Sequence, residues 1–171
     1  MAGVLDKVKN ALGAGGRANK YRVVINSIAG VSINAEQGDL LCKATSFPGV
    51  TIGQIEVFNQ GRKLMIPGDT TYTNTWTVSF YNTEDHKLRR AFIDWMIKAD
   101  DFQNNKHAST PGSVMTSMKV MQMNSDGTEG AAYEFHDVFV QDIGEISVGD
   151  DQTDTIQEFD VTFSFTYFTK A

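Results

Sequence analysis

A mainly β domain, an antiparallel β-sandwich or barrel with one flanking α-helix, is the fold class this sequence predicts. Three observations carry that prediction. In residues 154–168, Phe159, Val161, Phe163, Phe165 and Tyr167 alternate with Asp160, Thr162, Ser164, Thr166 and Phe168, the period of two that a strand with one buried face imposes. In residues 70–81, Tyr72, Trp76, Val78 and Phe80 fall on one parity. Each of the three prolines, Pro48, Pro67 and Pro111, is followed directly by glycine, which is turn chemistry: proline presets φ and glycine supplies the positive φ of a type II turn.

The remaining elements follow in order. Val4, Leu5, Val8 and Leu12 recur at helical spacing, so residues 4–12 predict a short amphipathic helix, too short to be stable without docking on a neighbour. Gly13-Ala14-Gly15-Gly16-Arg17-Ala18 formally fits G-x-G-x-x-A, but it follows a helix and precedes a strand, the reverse of the dinucleotide-binding context, and reads as a linker. Residues 21–28 predict a strand. Residues 39–45 predict another, with Leu40, Cys42 and Ala44 on one face and Asp39, Lys43 and Thr45 on the other. Residues 51–58 and 62–66, separated by Asn59-Gln60-Gly61, predict a β-hairpin.

After the strand at 70–81, Asn82-Thr83 serve as helix caps and Glu84 and Asp85 complement the dipole of a helix over 84–99. That helix gathers Leu88, Ala91, Phe92, Trp95 and Ala99 on one face and leaves Lys87, Arg89, Arg90, Asp94 and Lys98 outside it. Strands are predicted at 114–123, 133–141, 144–148 and 154–168. The 171 residues form one domain, 1–19 being an N-terminal helix and linker and 20–171 the β core.

Composition narrows function. Hydrophobic residues at 41% and charged residues at 21% are globular values. No apolar run approaches the roughly 18 residues of a membrane-spanning helix, and charge interrupts the N-terminal apolar stretch too early for a signal peptide, so membrane insertion is not expected. Cys42, the single cysteine, reads as a small buried hydrophobe. His86, His107 and His136 are scattered, with no metal-ligand spacing, and no nucleophile and base stand in a catalytic pattern. No catalytic residue, metal or cofactor is therefore expected. Met115, Met118, Met121 and Met123 read as adaptable packing.

The net charge of −6 conceals an asymmetry: residues 1–119 carry +4 and residues 120–171 carry −10. Lys170 is the only base after Lys119. A sheet built partly from that segment is expected to present an acidic face, which repels nucleic acid instead of binding it. The acid-rich stretch Asp150-Asp151-Gln152-Thr153-Asp154 reads as an exposed loop.

One ordered series of landmarks has a known counterpart. Leu41-Cys42-Lys43-Ala44-Thr45, Pro48-Gly49, Gly61-Arg62-Lys63, Pro67-Gly68-Asp69, Trp76-Thr77-Val78 and Phe92-Ile93-Asp94-Trp95 resemble the tail tube protein of contractile-tailed, T-even-like bacteriophages. Arg22-Val23-Val24-Ile25 and residues 156–162 extend the likeness over nearly the whole chain. The resemblance implies a structural virion protein, assembled in the host bacterial cytoplasm, whose copies form hexameric rings that stack into a tube. Its partners would be itself, the tail sheath, the baseplate and the tail terminator, with double-stranded DNA passing without specific binding. An eight-stranded barrel is too narrow for duplex DNA, so several subunits must share one larger barrel.

On that expectation Asp39, Gln54, Glu56 and Glu134, each on the polar parity of a strand expected to face inward, are lumen candidates. Pro48, Gly49, Val57, Arg62 and Lys63 are inter-ring contacts, and Arg89, Arg90 and Lys98 face the sheath. Two alternatives share parts of the pattern: the inner tube of a phage-tail-like injection or secretion system, and a monomeric β-barrel that binds a small ligand.

Overall fold

A computed structural model describes residues 2–13, 15–108, 110–150 and 152–171, with side chains from residue 5 onward. Ala14 and Asp151, within the predicted linker and acidic loop, lie outside the described residues. The chain runs α1 (Ala2–Leu12), β1 (Tyr21–Ile25), α2 (Ala35–Leu40), β2 (Cys42–Thr45), β3 (Val50–Asn59), β4 (Arg62–Tyr72) and β5 (Thr75–Tyr81). It continues through α3 (Lys87–Ala99), the two-residue strands β6 (Asp100–Asp101) and β7 (Lys106–His107), a 3-10 turn at Pro111–Ser113, β8 (Thr116–Met123), β9 (Glu129–Ile143), β10 (Glu158–Ser164) and β11 (Tyr167–Lys170).

Seven strands form one sheet in the order β1-β8-β9-β10-β5-β2, with β11 added on β9, and every recorded pairing is antiparallel. The ends of this path approach each other, since the Tyr21 hydroxyl on β1 donates to the Cys42 carbonyl on β2 at 3.1 Å. The sheet is therefore curved toward a barrel, and α2 connects its two ends. Because β10 runs antiparallel to β5, Phe159, Val161 and Phe163 stand beside Phe80, Val78 and Trp76. All six are buried.

Trp76 stacks on Phe135 with centroids 4.5 Å apart, and Phe163 meets Trp76, Phe92 and Trp95. Leu88, Phe92 and Trp95 supply the inner face of α3 and close this core. Neither indole N–H is left without an acceptor: Trp76 donates to the Ser46 carbonyl at 2.9 Å and Trp95 to the Val114 carbonyl at 2.7 Å.

Several expectations are corrected. Residues 39–45 are not one strand: Asn34 caps α2 by accepting from the Glu36 and Gln37 amides, so helix runs to Leu40 and leaves that side chain 73% exposed. Cys42 is only half-buried. The strand at 70–81 breaks at Thr73-Asn74, where Asn74 takes a positive φ of 56°. Pro67-Gly68 is not a turn but lies inside β4.

The helix predicted over 84–99 begins at Lys87. His86, at φ 51°, precedes it without a side-chain cap, while Glu84 and Asp85 occupy the preceding turn. No strand forms over 144–148. The long final strand breaks after Ser164, with Phe165 still buried but Tyr167 40% exposed and Phe168 turned toward the core. Breaking the strand there lets one segment pair with β5 and β9 and the next cover the other half of β9.

Phe163 touches three aromatic partners on two elements, Trp76 of β5 and Phe92 and Trp95 of α3, so Phe163→Ala should cost about 3–5 kcal/mol in urea unfolding, whereas Tyr167→Ala should cost about 1 kcal/mol or less. Equal losses would displace this description of the core.

Candidate assembly and channel surfaces

The hairpin β3–β4 stands off the body. Every residue of β3 is exposed, and ten residues of strand give it a reach of about 33 Å. Its tip is Gln60-Gly61, both at positive φ, which is the conformation a two-residue hairpin loop requires. Along its length the apolar surface changes side. At the base, Val50 and Ile52 sit opposite Tyr72 and Thr70, and the Tyr72 ring meets Phe168 edge-on at 5.3 Å.

Between Ile52 and Gln54 the register shifts, because Gly68 and Asp69 together oppose Gly53. Glycine at 68 permits a close approach of the two strands, since a Cβ there would lie 3.2 Å from the Gly53 backbone and from Ile55 Cγ1 and the neighbours would have to give by a few tenths of an ångström. Beyond this bulge the face opposite to the base carries Ile55, Val57, Leu64 and Ile66, all exposed. Four aliphatic side chains on an extended arm form a patch that a monomer would leave in water. Val57 had been singled out from sequence; Ile55, Leu64 and Ile66 had not, although their alternation within the predicted hairpin was the available signal.

The main sheet also has an open face, on the parity opposite to the core. It carries Thr75, Thr77 and Ser79 on β5, Asp160, Thr162 and Ser164 on β10, Asp142, His136 and Glu134 on β9, and Lys119 on β8. Hydroxyls bridge neighbouring strands there: Thr77 and Thr162 are 3.2 Å apart, and Ser79 donates to Asp160. This face is less acidic than the charge count along the chain implied. Strand pairing brings bases from the N-terminal part beside acids from the C-terminal part, so Lys119 lies 3.5 Å from Glu134 and Lys43 pairs with Glu158. The carboxylates without such partners among the described residues include Asp142 and Asp160 on this face and Glu145, Asp150 and Asp154 in the connection from β9 to β10.

The four lumen candidates do not share a surface. Glu134 lies on the open face, Gln54 and Glu56 lie on the projecting hairpin with Glu56 paired to Lys63, and Asp39 lies on α2. The strand-parity argument that selected Asp39 fails, because Asp39 is helical. Its carboxylate accepts from Arg22 Nε at 2.8 Å and from the Val23 amide at 3.0 Å, which ties α2 to β1 and occupies an edge N–H that another strand could otherwise take.

Of the inter-ring candidates, Arg62 and Lys63 reach the hairpin tip, while Pro48 and Gly49 form the loop entering β3. Arg90 and Lys98 are exposed on α3. Arg89 is not on the outer face: its Nη1 donates to the Gly144 carbonyl at 2.7 Å and its guanidinium lies 5.5 Å from the Phe159 ring, fastening α3 to the end of β9. Leu5, Val8 and Leu12 leave a second apolar strip exposed on α1.

Burial, foremost, pushes the Cys42 thiol up to about 11 and the Tyr21 phenol up to about 12. A thiol so shifted holds little thiolate at neutral pH, which is the opposite of what nucleophilic catalysis requires.

Comparison with known proteins agrees with this arrangement. The family described as phage tail tube protein matches residues 16–171. The chain is 29% identical over 167 residues to tail tube protein gp19 of Enterobacteria phage T4, covering 96% of this chain and 98% of the relative, and equally similar to gp19 of Enterobacteria phage T6. Among solved structures, the sheath-tube complex of the extracellular contractile injection system PVC superposes with a TM-score of 0.63 at 12% identity over 96% of both chains. The tube-terminating cap of the anti-feeding prophage does so with a TM-score of 0.64 at 13% identity, over 91% of this chain and 89% of that one.

Two measurements probe these surfaces. Asp39→Ala should lower stability by about 1–3 kcal/mol, read as a shift in urea midpoint, because it strands a half-buried amide and a guanidinium. Alkylation of Cys42 at pH 8 should run on the order of tenfold slower in the folded protein than after denaturation, and above pH 11 the difference should shrink as the folded thiol ionises. The family match, a fold shared with contractile tubes, and surfaces suited to assembly converge: this chain belongs to the phage tail tube protein family and is a structural building block of a tail tube.

Proposed function

We propose that copies of this chain close into hexameric rings, that the rings stack inside a contractile sheath, and that the bore conducts double-stranded DNA from the virion into the host cell. The observation that carries this reading is the projecting hairpin with its exposed aliphatic face, an arm built for a neighbour. A monomer gains nothing from holding Ile55, Val57, Leu64 and Ile66 in water. The sheath, baseplate and tail terminator complete the set of partners, with Arg90 and Lys98 on the outer surface of α3 directed to the sheath.

Transport on this reading is a matter of weak adhesion. The open face of the main sheet, lined by Thr75, Thr77, Thr162 and Ser164 with Glu134, Asp142 and Asp160 among them, becomes the wall of the bore. Short hydroxyls bonded to one another offer little to phosphate, and the carboxylates repel it. A few carboxylates per subunit suffice, because ring symmetry repeats them around and along the channel.

Negative-stain electron microscopy of the purified chain should show hollow tubes or six-fold rings, directly or on added baseplates. A species that stays monomeric in both conditions and binds an apolar ligand would replace the tube reading with that of a small-ligand barrel. In virions, Asp142→Lys with Asp160→Lys should leave tubes intact and slow DNA ejection several-fold; unchanged ejection would remove the open face from the bore.

A further inference from the structure

The hairpin leaves one end of the sheet, and a groove of complementary character lies at the other. β5 starts at Thr75, beside Ser164, three residues after the hairpin's last residue, Tyr72, and ends at Tyr81, beside Glu158. The connection from β9 to β10, residues 144–157, therefore sits at the pole opposite to the hairpin. There Glu145, Ser147, Gln152, Thr155, Ile156, Gln157 and Glu158 line an open groove of about 290 Å³.

That pole is acidic and apolar together. Glu145, Asp150 and Asp154 have no cationic partner among the described residues, while Val148 is 75% exposed and Ile156 65%. The groove is braced rather than loose: Asn82 donates its backbone amide to the Gln157 carbonyl and its side-chain amide to Gln157 Oε1, at 2.8 and 2.9 Å. Arg89 holds its entrance through the Gly144 carbonyl. The hairpin tip presents the opposite charge at Arg62, Lys63 beside it being paired with Glu56, and Leu64, Val57, Ile66 and Ile55 follow along the face of Arg62.

Resting on the tube reading above, we propose that the groove over residues 144–158 is the receptor for the hairpin tip of a second copy of this chain in the adjoining ring. Arg62 meets Glu145 and Asp150, and the aliphatic face of the arm covers Val148 and Ile156. A donor at one pole and its acceptor at the other make a heterologous contact, which does not close on itself after two copies and so propagates as an open stack. Each ring makes the contact once per subunit, so a modest pairwise attraction is multiplied around the ring. Charge complementarity also sets polarity, because two arms or two grooves brought face to face repel.

The test uses the full chain, with folding of each variant checked by circular dichroism. Assembly is followed by light scattering and electron microscopy against protein concentration. Arg62→Glu alone and Glu145→Lys alone should each raise the concentration needed for tubes by about fivefold or more, and the chain carrying both should return to within about threefold of the unmodified protein. In a Cys42→Ala background, Arg62→Cys combined with Ser147→Cys should give a ladder of oxidised multimers from assembled tubes. Tubes insensitive to both charge reversals, or assembled without a ladder, would overturn the receptor assignment and leave the tube reading standing. Absence of rings and tubes from the unmodified chain, even on baseplates, would overturn both.

Discussion

Pairing of β10 between β5 and β9 is the constraint on which the rest of this molecule depends. Seven consecutive residues of β10 meet β5 in unbroken register, which lays Phe159, Val161 and Phe163 against Phe80, Val78 and Trp76 and forces the intervening Asp160, Thr162 and Ser164 to the opposite face. A slip of one residue would exchange those two sets, burying a carboxylate and exposing three aromatic or branched side chains. The register therefore decides at once where the core is, where α3 can dock and which face is left polar. It also separates the two poles, the hairpin at one end of β5 and the 144–157 connection at the other.

Electrostatics in this fold works by mixing. The chain is strongly divided, with a basic-leaning first part and an acidic last part, yet the antiparallel sheet sets β9 and β10 from the acidic part between β8 on one side and β5 and β2 on the other. β8 sets Lys119 beside Glu134 of β9, and β2 sets Lys43 beside Glu158 of β10. These partly exposed pairs contribute little stability, since solvent screens them, but they reduce the acidity of the open face. Of the carboxylates left without a cation among the described residues, Glu145, Asp150 and Asp154 are carried outward into the β9–β10 connection, while Asp142 and Asp160 stay on the open face. The same division thus makes an acidic pole beside a moderated acidic wall.

The hairpin illustrates a different economy. Inside the body, apolar residues are buried by intrachain contact; on the arm, they wait for another molecule. The bulge at Gly68 and Asp69 is the device that keeps the two strands in step with this, because the extra residue lets Tyr72 pair with Val50 at the base while Ile66 and Leu64 pair with Ile55 and Val57 on the other face beyond it. Without that residue Tyr72 would fall on the face of Ile55 and Val57, away from Val50. Arms of this kind are exposed edges as well as surfaces, and an assembly that pairs or covers them removes the hazard they represent in isolation.

Sequence alone determined the fold class, the hairpin, the inner parity of β5 and β10 and the buried face of α3, because those patterns are local: period two or period 3.6 within one segment settles which side chains face inward. The ordered landmarks also determined the family. Only tertiary structure decided the rest. Asp39 looked like a strand residue until Asn34 capped a helix through it, and Arg89 looked like an outer-face cation until the end of β9 offered a carbonyl and an aromatic ring. Pro67-Gly68 looked like a turn until pairing with β3 held Pro67 opposite Gln54 and left Gly68 with Asp69 as a bulge. Residue spacing records the face a side chain takes on its own element, but not what another element, tens of residues away, brings to meet it. The placement of charge, the two poles and the surfaces available to neighbours all follow from that second kind of information.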